Sequence, residues 1–241
     1  MGDLIPLMNQ NITPSLPWLA RVPVNLFAIC VGLFAISLSW RLFAGFQISQ
    51  ALMIGNFISY LAATLLGVLS LLYAAKFLFY RQAFWQEATH PLGSSFVGLV
   101  PLCYFLLVAT FGNEQNSIWL VITLVALLVD MVITFRLLSI LTTGNSQKVA
   151  KTAALYVPTV AAGLVGCMAM SKVGYAGWAA LLWGMGLVGW IFLELRVLNH
   201  LFNGEMPLPM RPTIGLEMAP GAVGTLAASI LWPQLPVEVV L

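Results

Sequence analysis

The sequence predicts an all-α integral membrane protein built from tandem transmembrane helical hairpins around a central pore, and three observations carry that reading. The 241 residues are 61% hydrophobic and 7% charged, with a mean hydropathy of +0.96. A soluble domain of this size is roughly a quarter charged. Seven apolar segments reach the ~20 residues that cross a hydrocarbon core about 30 Å thick. Prolines also recur at positions 23, 91, 158 and 220, each opening an apolar stretch rich in small residues. Their interval of about 65 residues is the length of two membrane helices with their loops. A membrane helix tolerates proline where neighbours or a hydrated cavity satisfy the freed carbonyl, so the repeat points to a central cavity.

Taken in order, residues 1–22 carry polar side chains and three prolines but no basic n-region. They read as a cytoplasmic N-terminal segment, neither a cleaved signal nor a span. Pro6 argues against N-myristoylation of the Met1-Gly2 start. Asn11-Ile12-Thr13 is a formal glycosylation sequon read as a chance match. The transmembrane domain, residues 23–231, is expected to hold spans at 23–43, 53–76, 91–111, 117–141, 154–171, 175–198 and 213–231. Residues 232–241 read as a C-terminal tail, truncated relative to the repeat.

Lys and Arg assign the two sides. With the N-terminus inside, Arg21, Lys76, Arg81, Arg136, Lys148, Lys151, Arg196 and Arg211 fall on the cytoplasmic side, leaving Arg41 and Lys172 outside. The odd-numbered spans contain proline and small residues, as in VPVNLFAICVGL, HPLGSSFVGLVP, YVPTVAAGLVG and MAPGAVGTLAA. The even-numbered ones, such as IWLVITLVALLVDMVITFRLL, are dense in bulky apolar residues. The second class suits lipid. The first suits close helix packing, with or without a hydrated axis.

Several function classes are excluded. A net charge of +2 without a basic cluster argues against nucleic acid. Cys30, Cys103 and Cys167 stand singly in apolar segments and read as packing residues rather than disulfide or zinc partners. No intramembrane His, Glu and Asp cluster has catalytic or metal spacing, so the chain does not read as an enzyme and calls for no metal or cofactor. The seventh span has no Lys for a retinal Schiff base.

Three strings on alternate spans carry a more specific signal: His90-Pro91-Leu92-Gly93-Ser94-Ser95-Phe96, Leu155-Tyr156-Val157-Pro158-Thr159-Val160-Ala161, and Arg211-Pro212-Thr213-Ile214-Gly215-Leu216-Glu217-Met218-Ala219-Pro220. In this order they resemble the tellurite-resistance and C4-dicarboxylate transporter family, TehA-like and related to plant slow anion channels. The resemblance implies ten helices in five hairpins, with five proline-kinked odd helices around an anion pathway. It also implies a homotrimer with one pore per protomer, placed in the bacterial inner membrane. Four proline repeats supply four of the five units, so seven of the ten helices are expected here. The last three helices, including the ninth with the family's gating phenylalanine, are expected beyond Leu241.

The implied activity is passage of small anions or dicarboxylates. A proton-coupled C4-dicarboxylate (malate-type) carrier, a tellurite-resistance protein and a non-functional fragment of one stay open beside it. Such a path needs no nucleophile, only oriented dipoles, hydroxyls and a weakly positive potential. The candidate pore-lining residues are Pro23, Asn25, Ser94, Ser95, Pro101, Pro158, Thr159 and Pro220. The hydroxyls and amide among them have interhelical or back-bonding roles as the alternative. Glu217 is either a proton site or a structural partner for an Arg, and His90 is the other titratable candidate. Asp130 and Arg136, deep in the fourth span, do not share a helix face and are each expected to pair with a neighbouring helix.

Overall fold

The computed structural model describes residues 17–46, 48, 50–89, 93–142, 153–202 and 208–235. His90 and Pro91 lie outside them. A 3₁₀ turn at Val24–Leu26 leads into α1, Phe27–Phe43, which returns as α2, Ala51–Phe79. A short helix, α3 (Arg81–Thr89), follows after Tyr80. The third span joins α4, Gly93–Phe96, to α5, Leu99–Phe111, and α6 covers Ser117–Thr142. The fifth span starts as a 3₁₀ turn at Ala153–Leu155, widens into a π-turn at Val157–Ala161 and continues as α7, Ala162–Lys172. Then come α8, Ala176–Phe202, a 3₁₀ stretch Leu208–Met218 and α9, Ala219–Leu231. Seven of these stretches are long and apolar enough to cross a membrane, and no strand occurs among the described residues. The chain is an all-α, multi-pass membrane protein.

The observed spans match the expected ones to within a few residues, and α3 is the addition. Its sequence, RQAFWQEAT, is too short and polar to cross a bilayer. Phe84 stacks edge-on with Phe77 and tilts against Tyr73, which fastens α3 to the end of α2.

The odd spans form an inner arc in which α1 packs on α5, α5 on α7 and α7 on α9. The even spans lie outside, with α2 against α1, α6 against α5 and α8 against α7. The inner third and fifth spans are 61% and 83% buried within the protein, against 17% and 11% for the outer fourth and sixth. Lipid tails are as apolar as leucine, so side-chain size and backbone approach decide which helix sits inside. At the α7–α8 crossing, a Cβ on Gly163 would come within 2.9 Å of the Gly186 Cα and 3.0 Å of the Leu182 carbonyl. Only glycine allows the two backbones to meet there. Gly98 does the same for the third and fifth spans, where a Cβ would lie 2.8 Å from the Pro158 Cβ. Single hydrogen bonds add to the packing, such as Tyr104 Oη to Ser70 Oγ at 2.9 Å and Trp183 Nε1 to the Gly224 carbonyl at 3.1 Å.

Candidate functional site

All four odd spans face one cavity of about 280 Å³. Ala28 and Gly32 border it from α1, Leu102 and Leu106 from α5, Val160 and Leu164 from the fifth span, and Pro220 and Val223 from α9. The surface is almost wholly apolar. Tyr156 is the one lining residue with a side-chain hydroxyl among those described. An apolar passage of this kind imposes a desolvation barrier on any ion and offers it no fixed counter-charge.

The proline-bearing turn of the fifth span shapes one wall. Proline has no N–H, so the helical bond that residue 158 would donate is absent. The chain widens to a π-turn there, and two hydroxyls bond carbonyls of the same turn. Thr159 Oγ1 donates to the Leu155 carbonyl at 2.6 Å, and Thr134 Oγ1 of α6 donates to the Pro158 carbonyl at 2.6 Å. Val157, Val160 and Ala161 of this turn border the cavity.

The other singled-out residues fall in different places. Pro23 and Asn25 are exposed at the start of the first span. Ser94 borders a separate hollow of about 320 Å³ with Arg136, between α4 and α6. Ser95 is wholly buried and its hydroxyl has no hydrogen-bond partner among the described residues. Pro101 is buried and faces α6 across a cleft shared with Val121 and Val125. Its helix is interrupted just before it, where Gly98 N–H donates to the Ser95 carbonyl and Val100 N–H to the Val97 carbonyl, each three residues back. Pro158 is buried, Thr159 half-buried, and Pro220 is buried against the cavity.

For Glu217 the sequence leaves a proton site or a partner for an Arg open, and for Asp130 and Arg136 it predicts partners on neighbouring helices. Glu217 meets Tyr156 and, through it, Glu194: the Tyr156 hydroxyl lies 2.9 Å from Glu217 Oε2 and 2.6 Å from Glu194 Oε2. Arg136 lies over the Trp85 ring of α3, 5.8 Å from its centroid, a cation–π contact. Asp130 is buried, and its Oδ1 has no hydrogen-bond partner among the described residues.

Two further groups escaped the reading of the sequence. Lys76 is buried at the end of α2, where its Nζ donates to Glu87 Oε2 and to the Val22 carbonyl, both at 2.7 Å. Glu87 Oε1 accepts from the Val24 N–H at 2.7 Å. The carboxylate therefore occupies the N–H at the start of the first span, a position whose helix dipole favours an anion. At the opposite end Arg41 Nη1 donates to the Thr110 carbonyl at 2.6 Å, a cation closing the C-terminal turn of α5.

A family model described as the voltage-dependent anion channel, SLAC1, matches residues 21–238. The tellurite resistance protein TehA homolog of Haemophilus influenzae is 27% identical over 92% of this chain and 70% of its own length. The guard cell S-type anion channel SLAC1 of Arabidopsis thaliana is 26% identical over 90% of this chain, and the S-type anion channel SLAH2 of the same plant 21% identical over 91%. The chain spans 40% and 43% of those two plant proteins.

Proposed function

Since the chain belongs to the SLAC1 voltage-dependent anion channel family, we propose that it carries small anions across a membrane through the cavity between its odd-numbered spans. The observation that supports this best is the convergence of the first, third, fifth and seventh spans on one apolar cavity. The family consists of anion channels rather than enzymes, and no group of three or more metal-ligating side chains occurs among the described residues. In this reading Pro158, Thr159 and Pro220 flank the path, Pro23 and Asn25 stand at its entrance, and Ser94, Ser95 and Pro101 hold the third span against the fourth. The N-terminus lies in the cytoplasm of a bacterial cell, the protein sits in the inner membrane, and three copies assemble with one path each.

The chemistry of the wall sets the selectivity. With no cation among its described lining residues, the path discriminates by the cost of removing water from the ion. Weakly hydrated nitrate should pass more readily than chloride, and chloride more readily than fluoride. The test is current through the purified chain in planar bilayers under a chloride gradient. A reversal potential that tracks the chloride gradient and the order just given supports the reading. Equal permeability to potassium and chloride overturns it.

The contact of Glu217 with Tyr156 favours a second reading, a proton-coupled carrier of dicarboxylates such as malate. A reversal potential that shifts with an imposed pH gradient distinguishes it from the channel.

A further inference from the structure

Tyr156, on the fifth span, is 3% exposed and its hydroxyl stands between two carboxylates from the sixth and seventh spans. Trp190 Nε1 donates to the same Glu194 oxygen, Oε2, at 3.0 Å. Counting hydrogens shows what the cluster needs. A phenol brings one O–H hydrogen and an ionised carboxylate brings none. The shorter contact, 2.6 Å to Glu194, is the length of an O–H donated to a charged oxygen. At 2.9 Å from Glu217 the phenol oxygen can then only accept, so the hydrogen must come from Glu217. Without it, two oxygens face each other lone pair to lone pair and two like charges share one donor.

We propose that Glu217, Tyr156 and Glu194 form a proton-binding latch that ties the start of the seventh span to the fifth and sixth. With one proton bound, Glu217 donates to Tyr156 and Tyr156 to Glu194, and every hydrogen has an acceptor. When that proton leaves to water, both carboxylates compete for the single phenolic hydrogen and the seventh span separates from its neighbours. Tyr156, Leu216 and Pro220 border the central cavity, so the latch sets the position of one cavity wall. Among the described side chains, the fifth span meets the two acids with Tyr156 and the sixth adds Trp190 to Glu194. Arg211 of the seventh-span segment is not without a partner, and the side chains of Arg196 and His200 lie outside the described residues.

The latch depends on contacts within the chain, so it is testable without any transport measurement, and its failure is separate from failure of the anion pathway. The full chain in lipid nanodiscs is spin-labelled at Ile191 and Met218, which are 59% and 83% exposed. The distance between labels is measured as pH is raised, alongside the infrared band of a protonated carboxyl group. The wild type should show one narrow short distance at low pH that broadens and lengthens as pH rises, with loss of the carboxyl band in step. Glu217→Gln, whose amide supplies the same hydrogen, should keep the short distance at every pH and lack the titrating band. Tyr156→Phe should show the longer distance throughout. A wild-type distance independent of pH, or a titrating band and distance change that persist in Glu217→Gln, would overturn the proposal.

Discussion

The fifth and sixth spans are packed neighbours of similar length and nearly the same hydropathy, yet 83% of the first and 11% of the second is buried within the protein. In water that contrast would follow from apolarity. In lipid it cannot, because tails solvate leucine as well as a protein core does. The fifth span carries Ala, Gly and Cys where backbones meet, together with Pro158 and its π-turn. The sixth presents Trp178, Phe192 and Leu195 outward and reserves Gly186 for the crossing. Position in this fold follows side-chain volume and backbone approach, and hydropathy only decides that both helices enter the membrane.

The largest effect expected from breaking that contrast is at the crossing itself. Gly163→Leu must push apart two backbones already in contact, at a cost of about 3 kcal/mol or more. Gly184→Leu, on the sixth span with nothing within 4 Å of its Cβ, should change stability by less than about 0.5 kcal/mol. Size-exclusion profiles and thermal melts in detergent compare them: loss of the monodisperse species is expected for the first variant alone. Equal tolerance would mean that the crossing is not closely packed.

A charge tests the contrast from the opposite side, because α2 is an outer helix that nevertheless buries Lys76. Lys76→Met leaves Glu87 beside the Val24 N–H without its cation. Such an orphaned buried charge costs about 3 kcal/mol, reduced here because Glu87 is partly solvated. Lys76→Met with Glu87→Gln should recover much of the melting temperature. If the double variant is no more stable than the single one, the loss comes from the lysine's packing and not from the stranded carboxylate.

These cases also show what the residues could and could not reveal in advance. The seven spans and their inner and outer classes are local properties of about 20 residues each, and they are legible as composition. Proline marks the inner helices, but it does not say which face each proline turns: Pro220 borders the cavity while Pro101 faces the fourth span. Polar pairings are the least legible. Lys76 and Glu87 are separated by the break at Tyr80, outside any helical spacing, and the partners of Tyr156 lie 38 and 61 residues away. A helix such as α3 has neither the length nor the apolarity of a span, so a search for spans passes over it.

Packing alone should give a smaller contrast than the crossing does. Leu164 is fully buried between the cavity and α8, and Leu181 is 52% exposed. In water Leu→Ala costs about 2–5 kcal/mol. In a membrane the transfer part of that cost largely vanishes and the lost contacts remain, so about 1–2 kcal/mol is expected for Leu164→Ala. Leu181→Ala should lie within about 0.5 kcal/mol of wild type. Reversible unfolding in mixed micelles measures both, and similar values for the two would erase the distinction between inner and outer positions.

The smallest effect concerns a hydrogen bond by which α6, an outer helix, holds the π-turn of the inner fifth span. Thr134→Val removes the donor to the Pro158 carbonyl while keeping the shape of the side chain. Interhelical hydrogen bonds in membranes average about 0.6 kcal/mol, with a maximum near 1.7, so the melting temperature should fall only slightly. The functional readout decides more. If Pro158 alone fixes the π-turn, anion flux in liposomes is unchanged. If the outer helix holds the turn open, Thr134→Val alters flux or selectivity while Thr134→Ser, which restores the hydroxyl, does not. The second outcome is expected, because the Thr134 hydroxyl ties the carbonyl of Pro158 itself, at the cavity wall formed by Val157, Val160 and Ala161, to the fourth span.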